Sequence, residues 1–317
     1  VAIGSPKVVL LVGGVGGAKL ALGLKATVPP ENLTIIVNTG DDFWHYGLRI
    51  CPDIDTVMYT LSGRVDRVNG WGLAGDTINV LDGLRAYGEE PWFRLGDLDI
   101  ATHLLRTEQL RDGKRLTQIM QDLAQRMDIR ANILPMSDDE VTTIVDTYEY
   151  GELAFQDYFV RHRWQPRVRG LDYRGADTAK LTPEVTEAVL NADIILIGPS
   201  NPWLSIGPIM AVSELRAAML ARFIPRVAIT PIVNKKAIKG PAAKLMSELG
   251  YEVSASTVAL HYADVINGFV YDIRDEHEVS STHHGYRWTA FDTMMVDYDK
   301  KRTLARNVLM WIEGWNK

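Results

Sequence analysis

The apolar run Val8–Val12 stops abruptly at Gly13-Gly14-Val15-Gly16-Gly17-Ala18-Lys19. A short apolar run ended by glycine reads as a buried strand. Residues Ala18–Ala26 have helical composition, and Leu33–Val37 is a second buried strand closed by Asn38-Thr39-Gly40. Strand, glycine loop, helix and strand in that order make one βαβ unit of an open parallel sheet. The pattern returns late in the chain. Helices are expected over Pro183–Leu190, Pro208–Leu220 and Pro241–Leu249. Strands are expected over Asp193–Gly198 and Arg226–Thr230, with an extended segment near Tyr251–Ser254. The fold class implied is α/β, a doubly wound, mostly parallel Rossmann-like sheet. It would be assembled from residues 7–94 and 181–317. Residues 95–180 break the rhythm, with helices over Asp99–Leu110 and Arg115–Arg126 and short strands at Asn132–Pro135, Val141–Thr147 and Gly151-Glu152. They are expected to form an inserted helical and β subdomain, a lid or acceptor subdomain over the ligand edge.

The glycine loop carries the first chemistry. Without Cβ atoms, Gly13, Gly14, Gly16 and Gly17 let main-chain N–H groups converge on an anion, beside the positive end of the following helix. Two named motifs fail here. A dinucleotide fingerprint needs glycine at Lys19 and an acid where Asn38 ends the second strand, and a Walker A loop needs Gly-Lys-Ser/Thr rather than Ala18-Lys19-Leu20. A phosphate site remains the natural reading.

At the same sheet edge come Asn38-Thr39-Gly40-Asp41-Asp42 and Cys51-Pro52-Asp53-Ile54-Asp55-Thr56. Carboxylates placed there suit a hard divalent cation that neutralises phosphate oxygens. Pro52 also marks a helix start, so Asp53 or Asp55 could instead cap that helix. Trp71, between Gly70 and Gly72, can offer its indole face to a flat ring. Arg94 can pair with an acid, a phosphate or a ring oxygen. Ser200, Asn201 and Pro202 follow a strand and present hydrogen-bonding groups at the crevice. Lys235, Lys236 and Lys239 follow another strand, where they could bind a second phosphate or a carboxylate or form a solvated charge run. His283-His284 has no credible partner set for zinc.

Composition narrows the partners. A net charge of -6 argues against a nucleic-acid binder. The single cysteine, Cys51, excludes an intrachain disulfide and fits a reducing, cytoplasmic compartment. The apolar run before Gly13 is too short to span a bilayer and lacks the basic flank of a signal peptide.

Taken together, these stretches resemble the CofD/FbiA family, the 2-phospho-L-lactate transferases of coenzyme F-420 biosynthesis. The matching residues are Gly-Gly-Val-Gly-Gly-Ala-Lys at 13–19, Asn-Thr-Gly-Asp-Asp at 38–42 and Gly-Leu-Arg-Ile-Cys-Pro-Asp-Ile-Asp-Thr at 47–56. Gly-Trp-Gly at 70–72, Arg-Leu-Gly-Asp-Leu-Asp at 94–99, Leu-Pro-Met-Ser-Asp-Asp at 134–139, Gly-Pro-Ser-Asn-Pro at 198–202 and Lys-Gly-Pro-Ala at 239–242 also match. The resemblance implies transfer of a phospho-acid (2-phospho-L-lactate, phosphoenolpyruvate or a related group) from a GDP-linked donor to a ribityl hydroxyl of the deazaflavin Fo, with release of GMP. It implies that Asp55 and Arg94 contact Fo, with Trp71 beside them. It further implies that the 13–19 loop (Gly13, Gly14, Val15, Gly16, Gly17, Lys19), Ser200, Asn201 and Pro202 hold the nucleotide, joined by Lys235 and Lys239. Mg2+ is expected on Asp42 and Asp53, and Asp42, Asp53, Asp55 and Lys19 are the expected catalytic set. A homodimer acting on small molecules, with no membrane partner, follows from the same likeness. Two positions depart from the family pattern. Val15 replaces a common threonine, and Asn234-Lys235 stands where two glycines are expected. The competing reading is a non-catalytic nucleotide-sugar-binding regulator of the YvcK type.

Overall fold

The computed structural model describes residues 5–277 and 285–316; His283-His284 lies outside them. Strand β1 (Val8–Val12) runs into α1 (Val15–Lys25), then β2 (Leu33–Val37). A hairpin of β3 (Phe43–His45) and β4 (Leu48–Ile50) leads to α2 (Pro52–Leu61), α3 (Asn79–Ala86), α4 (Asp97–Arg111), α5 (Leu116–Arg126) and β5 (Asn132–Pro135). Strands β6 (Thr142–Thr147), β7 (Gly151–Ala154) and β8 (Val168–Arg174) follow. The chain returns through α6 (Pro183–Leu190), β9 (Ile194–Ile197), α7 (Gly207–Ala211), α8 (Ser213–Leu220) and β10 (Arg226–Ile229). It ends with β11 (Ile232–Val233), β12 (Lys236–Ala237), α9 (Ala242–Glu248), α10 (Ala255–His261), β13 (Gly268–Asp272), β14 (Arg287–Phe291) and α11 (Tyr298–Glu313).

Seven strands form one parallel sheet in the order β14-β13-β10-β9-β1-β2-β5. The central strands β1, β2 and β9 are buried along their whole length. Covered on both faces, they need continuous apolar sequence rather than alternation, which is why VVLLV and LTIIV were readable as strands. The two faces of the sheet carry separate apolar cores. One contains α1, α2, α5 and α11, and the other α6, α8, α9 and α10. The strand order reverses direction between β1 and β9, so the crevice between their carboxyl ends is the topological switch point.

Three expectations change. Of the segment 95–180, β5 pairs with β2 as the edge of the main sheet, and α5 packs beneath it. Only β6, β7 and β8 form a separate antiparallel sheet, so the inserted part is narrower than drawn. The expected extension near Tyr251–Ser254 is irregular and leads into the Ser254 cap of α10; the sheet position is taken by β13. The expected helix Pro208–Leu220 breaks at Val212, whose ψ of 100° ends α7 before α8 begins.

Candidate active site at the switch point

Beyond the paired ends of β1 and β9, the Gly13 N–H donates to Ser200 Oγ at 3.1 Å, bridging the two sides of the crevice. None of Gly13, Gly14, Gly16 and Gly17 has a positive φ. Close approach is what demands glycine here. A Cβ on Gly14 would lie 2.6 Å from Asp53 Oδ1, and one on Gly16 would lie 2.5 Å from the carbonyl oxygen of Pro199. Helix α1 starts at Val15 with Gly14 as its N-cap; no side chain caps it and no acid sits in its first turn. Its first-turn amides are therefore left without a side-chain cap, the arrangement that an anion at a helix N-terminus would use.

Two lysines stand at this loop. The Lys239 Nζ donates to the Asn69 carbonyl at 2.6 Å, and a Cβ on the neighbouring Gly70 would lie 3.0 Å from Val15 Cγ1. Burial lowers the Lys239 pKa, and the nearby Lys19 ammonium lowers it further. Positive groups crowded this way favour an anion between them. Lys235 is placed differently. It sits with Asn234 at the tip of the β11–β12 hairpin, both at positive φ (56° and 49°). This two-residue turn with both centres left-handed accounts for glycines being expected there.

The acids assemble on the other side of the loop. Pro52 opens α2 and puts Asp53 and Asp55 in its first turn. The Asn38 Nδ2 donates to Asp41 Oδ1 and to Asp53 Oδ2, each at 3.0 Å, while its Oδ1 accepts from the Gly40 N–H at 2.8 Å. The structure thus joins Asp53 to Asp41, whereas the sequence pointed to Asp42. Burial, then the Asp53 charge, drive the Asp41 pKa well up. Burial also pushes Asp53 to about 6, against hydrogen bonds from Asn38 and the Gly14 amide. Asp42 lies 3.9 Å from Arg49 Nη2, and neither of its carboxylate oxygens has a hydrogen-bond partner. Burial pushes it to about 7, despite the nearby Arg49 charge. Buried carboxylates that resist ionisation beside one another, with unpartnered oxygens, fit a hard divalent cation.

Asp55 belongs to a second group. Its Oδ1 accepts from Arg106 Nη2, and Arg106 is fully buried. Arg106 Nη1 also reaches the Arg49 carbonyl at 3.2 Å and His103 Nδ1 at 3.1 Å. Tyr59 Oη donates to Asp99 Oδ1 at 2.7 Å. Asp55, Asp99 and His103 each offer a ligand atom within 4.8 Å of the others. Arg106 already supplies a cation to this group and hydrogen-bonds the His103 Nδ1, while Asp55 Oδ2 and His103 Nε2 are left without hydrogen-bond partners.

Ser200 is drawn into the crevice as expected. Asn201 is split in role: its Oδ1 accepts from the Trp203 and Leu204 N–H groups, capping the turn that begins at Pro202, while its buried Nδ2 has no partner. Trp71 is 39% exposed, between Gly70 and Gly72, both at positive φ. Arg94 is exposed just ahead of α4. The loop after Trp71 has a framing duty: Asp76 accepts from the Leu98 and Asp99 N–H groups, so it caps α4 from a distance. Asp99, His103 and Arg106 were not singled out in the sequence. Their spacing along the expected helix (i, i+4, i+7) puts three polar groups on one face, a signal that was available.

A family model described as 2-phospho-L-lactate transferase CofD matches residues 8–310. A 2-phospho-L-lactate transferase of Methanosarcina mazei is 41% identical, covering 95% of this chain and 99% of its own length. A phosphoenolpyruvate transferase of Kitasatospora aureofaciens is 42% identical, covering 97% and 98%. Among solved structures, a UPF0052 family protein of Bacillus halodurans superposes with a TM-score of 0.61 at 15% identity, over 96% of this chain and 99% of the other. That likeness concerns the fold.

Proposed function

The chain belongs to the CofD family of 2-phospho-L-lactate transferases, and from that premise we propose how its switch-point crevice works. It is a transferase of phospholactate-type groups in coenzyme F-420 biosynthesis. In our reading, the donor is an acid linked through its phosphate to a guanosine diphosphate, and the acceptor is the ribityl alcohol of a deazaflavin. The hydroxyl oxygen of the acceptor attacks the phosphorus that carries the acid. The bond from that phosphorus to the bridging oxygen breaks, and GMP leaves with the oxygen. The hydroxyl proton passes to a carboxylate, for which Asp55 is the candidate.

One observation supports this reading above the others: the Gly13–Gly17 amides, Ser200 and the Asp41–Asp53 pair meet at a single crevice. The amides, Lys19 and Lys239 would spread the charge growing on the diphosphate, and Asn201 Nδ2 would offer a donor to the nucleotide. Asp53, with Asp41 or Asp42, would hold a Mg2+ ion, which when bound supplies positive charge to the phosphate oxygens. Trp71 and Arg94 would flank the acceptor ring. The narrower inserted sheet would help exclude water, which otherwise hydrolyses the donor. The acid stays open between lactate and enolpyruvate, because relatives named for each are equally similar. The proposed assembly is a homodimer, checked by light scattering.

The test is direct. Purified protein is incubated with Fo, Mg2+ and lactyl, enolpyruvyl or glyceryl donors, and the phosphodiester is sought by mass spectrometry. Product from one donor identifies the acid. Folded protein that yields none from any donor overturns the reading.

A further inference from the structure

Asp55 is held by one oxygen only. Its Oδ1 takes the Arg106 guanidinium, while its buried Oδ2 has no hydrogen-bond partner. His103 Nδ1 lies 3.6 Å from Oδ2. That nitrogen cannot donate to it. Arg106 Nη1 lies 3.1 Å from the same Nδ1, and a guanidinium only donates, so Nδ1 is the acceptor of that bond. The imidazole proton is then on Nε2, which lies 3.3 Å from Asp99 Oδ1 in a poorly aligned contact. Asp99 is fixed twice more, by Tyr59 Oη and by Asp76 on its main-chain N–H. The ion pair is thus braced from α4 back to the 70–76 loop.

We propose that Asp99, His103 and Arg106, on one face of α4, are positioning residues that hold Asp55 by Oδ1 and keep Oδ2 available for the acceptor hydroxyl. Resting on the transferase reading above, this assigns His103 the Nε2–H tautomer as its specific duty. Were the proton on Nδ1, the imidazole would turn against Arg106 and bond Oδ2 itself, and the acceptor would lose its partner. Removing the guanidinium would leave a buried carboxylate unpaired, which is costly enough to unfold the protein. His103 therefore gives the cleaner probe.

The experiment compares His103→Asn with His103→Gln. An Asn amide oxygen falls near the Nδ1 position and accepts from Arg106; a Gln amide nitrogen falls near Nε2 and leaves Arg106 without its acceptor. Both truncate the ring, so a merely structural role predicts similar losses. The proposal predicts that H103N keeps kcat within about threefold of wild type, while H103Q loses roughly 10–100-fold in kcat with KM for the nucleotide donor unchanged. Equal kcat losses in the two variants overturn it. A second readout needs no turnover. Imidazole 15N spectra of the full chain should show His103 with Nδ1 bare and Nε2 protonated, and the opposite tautomer sinks the proposal. An inactive wild type would count against the transferase reading alone, since the tautomer is measured independently.

Discussion

A single methyl group at Gly14 would separate the anion loop from its acid. The built Cβ lies 2.6 Å from Asp53 Oδ1, the far end of a side chain that can swing away. At Gly16 the obstacle is the Pro199 carbonyl, which is main chain and cannot swing. The two substitutions should therefore fail differently. Gly14→Ala keeps its melting temperature and loses about 100-fold in turnover by displacing Asp53. Gly16→Ala loses about 1–3 kcal/mol of stability as β9 and α1 are forced apart. Thermal denaturation run beside a turnover assay distinguishes them. At this scale the sequence was legible where chemistry and chain proximity coincide, as with the loop glycines, Ser200 and Asp53. It could not reveal that Asn38 ties Asp53 to Asp41, because one amide shared between residues 38, 41 and 53 is a product of the folded crevice. Arg106 was missed for a related reason. A lone arginine on a helix reads as solvated, and only the tertiary arrangement brings it to Asp55 with no exposure.

At the scale of elements, the packing of α1 against α11 matters most for the site. A Cβ on Gly23 would fall 2.7 Å from the carbonyl carbon of Lys301 and 3.3 Å from Ala305 Cβ, so the two helices touch main chain to main chain. Lys19 lies one turn before Gly23 on the same helix, and it depresses the Lys301 pKa after burial does. Gly23→Ala should cost about 1–3 kcal/mol, read as a lower urea midpoint at unchanged slope, and, on the proposed reading, should weaken binding of the nucleotide donor by tilting α1. The β11–β12 turn makes the opposite case. Lys235 pays for a φ of 56° that glycine adopts freely, so Lys235→Gly should gain about 0.5–1 kcal/mol in the same assay. The apolar strands β1, β2 and β9 and the helices α5 and α6 were evident from periodicity. Strands β13 and β14 were not, because Gly268–Asp272 and Arg287–Phe291 mix polar and aromatic residues, and β14 lies at the sheet's edge, where one neighbour suffices and the apolar run can be short.

For the whole molecule, the sheet order makes one crevice inevitable, and the acids collected there link folding to protons and, on the proposed reading, to a metal ion. Asp53 at about 6, Asp42 at about 7 and Asp41 also raised all bind protons more tightly folded than unfolded, where a carboxylate titrates near ~3.9. Their contribution to stability is therefore complete below about pH 4 and is lost as pH rises through 6 and 7. A divalent cation competes with those protons, so it binds better as pH rises and restores what ionisation removes. The expected result is a Mg2+-induced rise in melting temperature that is larger at pH 8 than at pH 5. At a hundredfold excess over its dissociation constant the ion adds about 2.7 kcal/mol, which is roughly 4 °C for a chain of this size. Asp53→Asn should abolish most of that increment and, without metal, should melt higher than wild type at pH 8, because one buried charge is gone. A shift of equal size at both pH values, or one that survives Asp53→Asn, would place the cation somewhere other than among these carboxylates.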